Sequence, residues 1–388
     1  MRKLMTLLLI SGSLAFICSP AWGQAAPKAQ LSVDQRIAEL NNRFSSLEAS
    51  WGRFQLGGNF SLEADGLLED HYSTIGPFQF EQKLGLYLNA GIDRNLSFAL
   101  NLSHEGNWGD YTTAPLNAPF LLDEAFIKME YPRSLNYLGR FRFSFGPLGL
   151  ITDFVNNPAE GLALQHTFKD YHAIGLYSRM LTQIDGDSKE LSTQDYFAFR
   201  LGWSGQATIV GLNLVPRGLA AEKAFSVDVS STLPAGKIAA EVGWYSFDSP
   251  RYPDYHTDWT PAALVSFGRE LPNHDFFQVK AGYIAQYFTP SATSLNHSST
   301  DLREWFTANT RGLELYLQNR LGNDFYLENR LMISKPVNDV AQDGTSYRWR
   351  GNINKNFSPL SQLQFGVELN QNRNLNNTYL FTRWNLQF

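Results

Sequence analysis

Two arginines, Arg348 and Arg350, stand two positions apart in a segment of alternating polarity. A strand would therefore place both guanidinium groups on one face. Guanidinium groups stay charged even when crowded, so several of them on one wall form a lasting positive surface. Other arginines that we expect on inward faces are Arg140, Arg142, Arg179, Arg200, Arg320, Arg330 and Arg383. This pattern predicts that the arginines recognise charged groups rather than catalyse a reaction.

A connection at residues 146–160 supplies the opposite charge through Asp153 and Glu160. It is more apolar than a connection in water should be, which predicts burial inside the fold. Carboxylates facing an arginine wall would set up a transverse field that orients and filters polar solutes. Two alternatives stay open: the connection folds over the rim, or the arginines pair with glutamates and stiffen the wall. Those glutamates are Glu81, Glu124, Glu130, Glu241, Glu314, Glu328 and Glu368.

Motifs for catalysis and metal binding are missing from the sequence. The seven histidines are scattered, and no HExxH, GxSxG or phosphate-binding loop occurs. Cys18 is the single cysteine, so the chain can form neither an internal disulfide nor a cysteine-based metal site. We therefore predict no enzyme activity, no metal and no cofactor.

Alternating apolar and polar residues define the elements that position these charges. Clear examples are 78–92, 96–103, 313–321 and 363–370. An alternation of period two predicts strands with one dry and one wet face. No apolar run after Trp51 is long enough for a membrane-spanning helix.

Connection lengths alternate between short turns and longer loops, which is typical of transmembrane barrels. The short turns are predicted at Asp93–Asn95, Pro132–Leu135, Lys169–Asp170, Ser204–Gly205, Pro234–Gly236, Pro272–Asn273, Gly322–Asn323 and Ser358–Pro359. With nine longer loops between and around them, these eight turns predict 18 strands. Sixteen stays open as the alternative, because 205–233 is the least regular region.

The N-terminal region reads as two segments. Residues 1–23 combine a basic start, an apolar stretch and small residues before Gln24, which predicts a cleaved signal peptide. Residues 24–51 contain a polar spacer and a helix whose apolar residues are spaced four and three apart. This spacing favours a short periplasmic coiled coil, with a single amphipathic helix packed on the barrel as the alternative. The seam residues are Val33, Ile37, Leu40, Phe44, Leu47 and Trp51.

The C-terminal strand carries an apolar face made of Leu380, Trp384, Leu386 and the terminal Phe388. This ending resembles the closing strand of bacterial outer-membrane β-barrels, although Thr382 departs from the pattern. The resemblance implies that these four residues are read by the barrel-insertion machinery. In its architecture and terminal signal, the stretch 52–388 resembles the general diffusion porins.

Together these features predict an all-β chain, a transmembrane antiparallel β-barrel preceded by a short α-helical coiled coil. The resemblance implies a bacterial outer-membrane channel for passive diffusion of small hydrophilic solutes, narrowed by loop 146–160 facing lumen arginines. One rival is a loop-plugged barrel that binds or anchors a surface polysaccharide, and a less favoured one is a membrane enzyme.

Expected partners are outer-membrane lipid, the insertion machinery and further copies of the chain, with a trimer favoured. Once Arg2 and Lys3 leave with the signal peptide, acidic residues outnumber basic ones by 37 to 30. This balance argues against nucleic acid as a partner.

Overall fold

The structure is a computed structural model that describes ten stretches of the chain. They are residues 54–67, 79–108, 120–155, 158–183, 191–218, 222–248, 256–290, 306–338, 344–371 and 376–388. The predicted signal peptide 1–23 and the predicted spacer and coiled coil 24–51 lie outside the described residues, as do Asn156 and Asn157. Within the described stretches, no helix has the length and hydropathy needed to cross a membrane.

Eighteen strands form one antiparallel sheet. Their bounds are β1 Phe54–Leu67, β2 Gln79–Asp93, β3 Leu96–Trp108, β4 Leu121–Tyr131, β5 Ser134–Phe141, β6 Ala159–Phe168, β7 Tyr171–Gln183, β8 Leu191–Ser204, β9 Thr208–Arg217, β10 Lys223–Leu233, β11 Gly236–Asp248, β12 His256–Glu270, β13 Phe276–Ile284, β14 Thr310–Arg320, β15 Phe325–Pro336, β16 Ser346–Ser358, β17 Ser361–Gln371 and β18 Asn376–Gln387. Each strand pairs with its neighbours in chain order, as a meander does. The prediction of 18 strands is confirmed, and the uncertain region 205–233 contains both β9 and β10.

The sheet closes on itself because β18 pairs with β1. At the end of the chain, the amide of Phe388 donates to the carbonyl of Gly58 at 2.9 Å, and the amide of Gly58 donates back at 2.8 Å. Closure removes the unpaired edges that an open sheet would leave. The fold is therefore a barrel with an inner and an outer face.

The two faces are chemically distinct, and β8 to β12 show the contrast best. Outward side chains are apolar and exposed: Leu201, Leu212, Val227, Val242 and Val265. Buried inward side chains one residue away are mostly polar: Arg200, Asn213, Asp228, Glu241 and Ser266. A soluble barrel would carry the opposite arrangement, so this polarity is that of a barrel surrounded by an apolar medium.

All eight predicted short turns join consecutive strands of the barrel. In the two-residue turn between β6 and β7, Lys169 adopts a left-handed backbone with a φ of 52°. Such turns connect two neighbouring antiparallel strands with only a few residues. The longer connections join the strands at the opposite end of the barrel.

Gly139 of β5 adopts a backbone conformation that favours glycine. Its φ is +128°, and a Cβ atom there would overlap the carbonyl oxygen of Ala125 on β4. We expect Gly139→Ala to lower the free energy of unfolding by about 1–3 kcal/mol, because a side chain is strained in this backbone region. Denaturant unfolding of the refolded barrel measures this change.

Gly322 provides the matched control, since a Cβ atom there meets no heavy atom within 4 Å. Gly322→Ala should leave the unfolding midpoint nearly unchanged. Equal midpoints for the two variants would contradict the strained geometry of β5.

Candidate functional site

Residues 142–155, which follow β5, fold into the barrel and are called the inward segment below. The segment makes a small hairpin of its own: the amide of Phe145 donates to the carbonyl of Thr152 at 2.9 Å, and that of Phe154 to Phe143 at 2.7 Å. Four of its side chains, Phe145, Leu150, Ile151 and Phe154, are fully buried. Burial explains why this connection is more apolar than a connection in water.

The inward segment packs on the inner wall at β8 and β11. Thr152 Oγ1 lies 2.8 Å from the hydroxyl of Tyr196, and the ring of Phe154 meets the Tyr196 ring edge-on at 5.3 Å. On β11, Glu241 Oε2 accepts a hydrogen bond of 3.3 Å from the amide of Leu150. One polar contact and one aromatic contact thus fix the segment at β8, and a charged acceptor fixes it at β11.

A buried polar network supports this anchor. Arg200 pairs with Asp228, and Asn213 donates to Asp228 at 2.8 Å and to Ser226 at 3.0 Å. Ser226 Oγ in turn donates to Glu241 Oε1 at 2.7 Å. Because each charge is hydrogen-bonded, the network can remain buried, and loss of one member would leave the others uncompensated.

Gly146 lets the inward segment approach the network closely. Its φ is +73°, and a Cβ atom there would stand 2.9 Å from Glu241 Oε2 and 3.2 Å from Asp228 Oδ2. The segment therefore needs a residue without a side chain at this turn.

A second connection, between β13 and β14, also turns inward. Phe288 and Phe306 are buried, and the ring of Phe288 lies 5.9 Å from that of Tyr245 on β11. Leu264 and Met332 belong to the same apolar cluster. The interior beside β8 to β15 is thus occupied by chain.

Beside β1 to β4, the described residues leave a cavity. A cavity of about 890 Å³ is bounded by Val155 of the inward segment and by side chains of β1, β2, β3 and β4. Lys83 lies 3.2 Å from Glu81 and 3.4 Å from Glu105. Arg142 lies 3.9 Å from both Asp123 and Glu124. Four carboxylates and two cations therefore make the charged contacts around this cavity.

Four of the predicted inward arginines, Arg330, Arg348, Arg350 and Arg383, lie on inward positions of β15, β16 and β18, and each has a carboxylate nearby. We call these four residues the arginine wall. Arg330 donates two hydrogen bonds to the carboxylate of Glu314, from Nε at 2.9 Å and from Nη2 at 3.1 Å. Arg348 donates to Glu368 at 2.8 Å. The wall therefore contains the paired arrangement that was left open as an alternative.

Arg350 and Arg383 complete the arginine wall. Arg383 donates to Glu63 of β1 at 2.9 Å. Arg350 shares Glu368 with Arg348 at a distance of 4.0 Å, and its guanidinium stacks 4.2 Å from the ring centre of Phe381. Four arginines thus contact three carboxylates, and Arg350 has the weakest ionic partner of the four.

Arg320 and Asp153 take more local roles. Arg320 donates to the carbonyls of Gly322 and Asn323 at 3.0 and 3.3 Å, which ties it to the turn after β14. Asp153 belongs to the inward segment, where its carboxylate accepts a hydrogen bond from the amide of Val155 at 3.2 Å.

Arg140 and Glu160 correct the expectation that both face the interior. They are cross-strand partners, next to the pair Phe141 and Ala159, whose side chains are buried inside. Successive side chains point to opposite faces. Arg140 and Glu160 therefore lie on the outer face, where they form an ion pair.

The C-terminal strand shows the alternation that was predicted for it. Leu380 and Trp384 are exposed on the outer face, and Phe388 packs against Gly58 at the closure. Phe381, one position from Leu380, is buried inside. Leu386 pairs with Phe60 of β1.

Several charged residues of the interior were missed, notably Glu63, Glu105, Asp123 and Asp228. The parity of Lys83 and Glu81 on β2 was a usable signal, because pairing β2 with β3 brings Glu105 directly opposite Lys83. Among the described residues, no group of three or more histidine, cysteine or acidic side chains is placed to hold a metal ion.

Neither a protein-family model nor a curated protein sequence matches this chain. Solved structures do match in fold. A BenF-like porin from Pseudomonas fluorescens Pf-5 aligns with a TM-score of 0.63 at 10% identity, over 87% of this chain and 97% of that one. Pseudomonas aeruginosa OccK3 (OpdO) gives 0.62 at 11% identity, over 90% and 99% of the chains. At such low identities, the likeness shows a shared barrel fold.

The anchor of the inward segment yields a testable prediction. Glu241→Leu removes the acceptor of both Leu150 and Ser226, at a cost of about 1.5–3 kcal/mol for hydrogen bonds to a charged group. Amide hydrogen exchange in peptides covering 145–154 should then accelerate roughly 10- to 150-fold. Exchange measured by mass spectrometry on the folded barrel checks this.

Glu241→Gln is the control, because its amide oxygen can still accept from Leu150. It should change the exchange of these peptides much less than the leucine variant does. Unchanged exchange in Glu241→Leu would mean that the segment is held by its apolar contacts alone.

Proposed function

We propose that the chain is a bacterial outer-membrane porin, a water-filled channel for passive diffusion of small hydrophilic solutes. The observation that carries this proposal is the closed 18-stranded barrel with an apolar outer face, a polar inner face and an open cavity beside the inward segment. A barrel of this strand number is too wide to be filled by its own side chains.

The outer face supports a place in a membrane. Exposed leucines, valines and aromatics cover strands all around the barrel, far beyond the apolar patch that a soluble protein normally exposes. Aromatic side chains such as Trp203, Tyr171 and Phe168 lie near the short turns, where a bilayer interface would favour them. The names of the matched BenF-like porin and Occ proteins agree with this assignment.

The proposal also covers the predicted segments at the two ends of the chain. A cleaved signal peptide at 1–23 would bring the chain to the periplasm. The alternating face that ends at Phe388 would serve the barrel-insertion machinery. The short turns would then face the periplasm, with the predicted coiled coil at 24–51 on the same side, where it would help to join copies.

The inward segment would narrow the channel toward the β1–β5 side. Ion pairs there join four carboxylates and two cations, whereas the ion pairs of the arginine wall join four arginines and three carboxylates. A fourth carboxylate beside the wall, Glu328, accepts a hydrogen bond from Asn352 at 2.8 Å. The acidic side of the proposed transverse field thus comes chiefly from Glu81, Glu105, Asp123 and Glu124. Such a field would orient polar solutes as they pass.

A loop-plugged barrel that anchors a surface polysaccharide is the second candidate. It is favoured by the β13–β14 connection, since buried Phe288 and Phe306 add a second inward element. The two candidates differ in whether ions can cross the barrel.

Single-channel recording in a planar bilayer separates them. We expect stable, long-lived conductance steps from the refolded, heat-modifiable barrel, because the described residues leave a cavity of about 890 Å³ beside the inward segment. Folded barrels that show no steps at any voltage would overturn the channel and favour the plugged barrel.

Charge selectivity tests the role of the arginine wall. Exchanging Arg348 and Arg350 for Gln keeps hydrogen-bond donors near Glu368 but removes two charges. We expect the anion-to-cation permeability ratio to fall about two- to fivefold, which corresponds to about 0.5–1 kcal/mol of Coulomb attraction in a hydrated lumen. The reversal potential in a salt gradient measures this ratio.

Arg320→Gln is the matched control, because its guanidinium is held by the turn after β14. Its reversal potential should stay close to that of the unaltered protein. An equal shift of the reversal potential in Arg320→Gln and in the double variant would contradict a special role of the arginine wall in selectivity.

A further inference from the structure

A groove on the outer face crosses strands β6 to β10 close to the short turns. Its volume is about 470 Å³, which is in the range of pockets that bind small molecules. Two rows of outward side chains, each made of cross-strand neighbours, line it. The row farther from the turns consists of His166, Ala173, Leu201, Leu212 and Val227. The row nearer the turns consists of Phe168, Tyr171, Trp203 and Val210.

The groove opens to the outside of the barrel. Leu201 of its lining is exposed, whereas the neighbouring Arg200 is buried inside. A Cβ atom on Gly202 would overlap the ring of His172, and one on Gly211 would overlap the guanidinium of Arg200. These two inward side chains cover the backbone behind the groove. Its occupant must therefore come from the medium around the barrel.

Ala173 makes room for an apolar chain in the groove. It is the one small side chain in the two rows, so the surface dips between its neighbours His166 and Leu201. The lining is apolar except for His166 and the polar tips of Tyr171 and Trp203. Such a surface gains free energy when it is covered by hydrocarbon. The groove therefore suits an acyl chain better than a polar solute.

Two cations lie on the turn side of the groove. The Nζ atom of Lys169 lies 5.7 Å from the ring centre of Phe168, a residue of the row nearer the turns. Arg133 of the adjacent turn is close by, because the amide of Thr167 donates to its carbonyl at 2.8 Å. In the part of the chain that the structure describes, neither Lys169 nor Arg133 forms an ion pair. Asp170 is the one acidic residue of these two turns, so positive charge is in excess here.

Lys355 shows what a cation at a short turn looks like when the chain itself provides the partner. Its Nζ atom also lies over a phenyl ring, 4.2 Å from the centre of Phe325. Asp324 pairs with it at 3.4 Å. The ammonium group of Lys169 has no such partner among the described residues, so an anionic group from outside the chain can bind there.

We infer that the groove binds one membrane phospholipid, with an acyl chain over Ala173 and the phosphate at Lys169 and Arg133. Ammonium and guanidinium groups bind phosphate through charge-assisted hydrogen bonds. Tyr171 and Trp203 have the amphipathic rings that a bilayer interface favours, which places the headgroup and the two cations at one level. Free phosphate would leave the apolar lining uncovered. This inference rests on the membrane location proposed above.

Native mass spectrometry of the refolded barrel tests the inference, with phosphatidylglycerol added to the detergent micelles. We expect one tightly held lipid on each barrel. Ala173→Phe fills the groove and should weaken this binding roughly tenfold or more, which corresponds to about two buried CH₂ groups. Ala263→Phe is the matched control, because it adds the same ring at an outward position of β12, between buried Ala262 and Leu264. It should bind lipid as the unaltered protein does.

A second pair of variants tests the phosphate contacts. Exchanging both Arg133 and Lys169 for Gln should weaken the binding of phosphatidylglycerol roughly tenfold or more, because two cations beside the headgroup are lost. Lys355→Gln should leave the binding unchanged. Glycerol phosphate, which has the headgroup without the acyl chains, should not displace the lipid.

Four results would overturn the inference while heat-modifiability shows that the barrels are folded. They are the absence of a retained lipid, equal binding in Ala173→Phe and Ala263→Phe, undiminished binding in the double Gln variant, and displacement by glycerol phosphate. Conductance is read separately. A barrel that retains lipid without conducting would contradict the channel alone, and one that conducts without retaining lipid would contradict the phospholipid site alone.

Discussion

Closure of the hydrogen-bond ladder between the first and last strands is the constraint on which the rest depends. The register pairs Leu62 with Trp384 and Glu63 with Arg383. One pair faces out and the other faces in, and a slip of one residue would exchange them. The Arg383–Glu63 contact joins residues 320 positions apart and lies directly on this seam. The charged interior and the apolar exterior are thus consequences of one register.

Width is the second consequence of closure. A barrel of eight strands fills itself with side chains, whereas 18 strands enclose space that chain or water must occupy. The inward segment occupies part of it, held by Tyr196 and Glu241 on the wall. Removing the partner of a buried charge destabilises a fold by several kcal/mol. The buried network of Arg200, Asp228 and Glu241 therefore keeps the segment in one arrangement. Among the described residues, the cavity therefore lies on the side of β1 to β4.

Much of this fold could be predicted from local patterns. Turn residues such as Pro132 and Lys169 mark hairpins, and alternation marks strands, so the strand number followed from counting. The apolar character of the connection at 146–160 correctly predicted its burial. Neither pattern contains the register between distant strands, which is why the Glu63–Arg383 contact was missed. Height along the barrel is equally invisible, so Arg320 was placed on the wall although it belongs to a turn.

Arg140 and Glu160 show where charge alone misleads. Their charge suggested an inward position, but parity with buried Phe141 and Ala159 places them outside. Charge indicates the wet side only if every outward residue meets lipid. The same parity places the cross-strand partners Arg179 and Asp195 of β7 and β8 outside, because their neighbours Ser178 and Tyr196 are buried inside. Charge therefore identifies the inner face only at those heights where the outer face meets lipid tails.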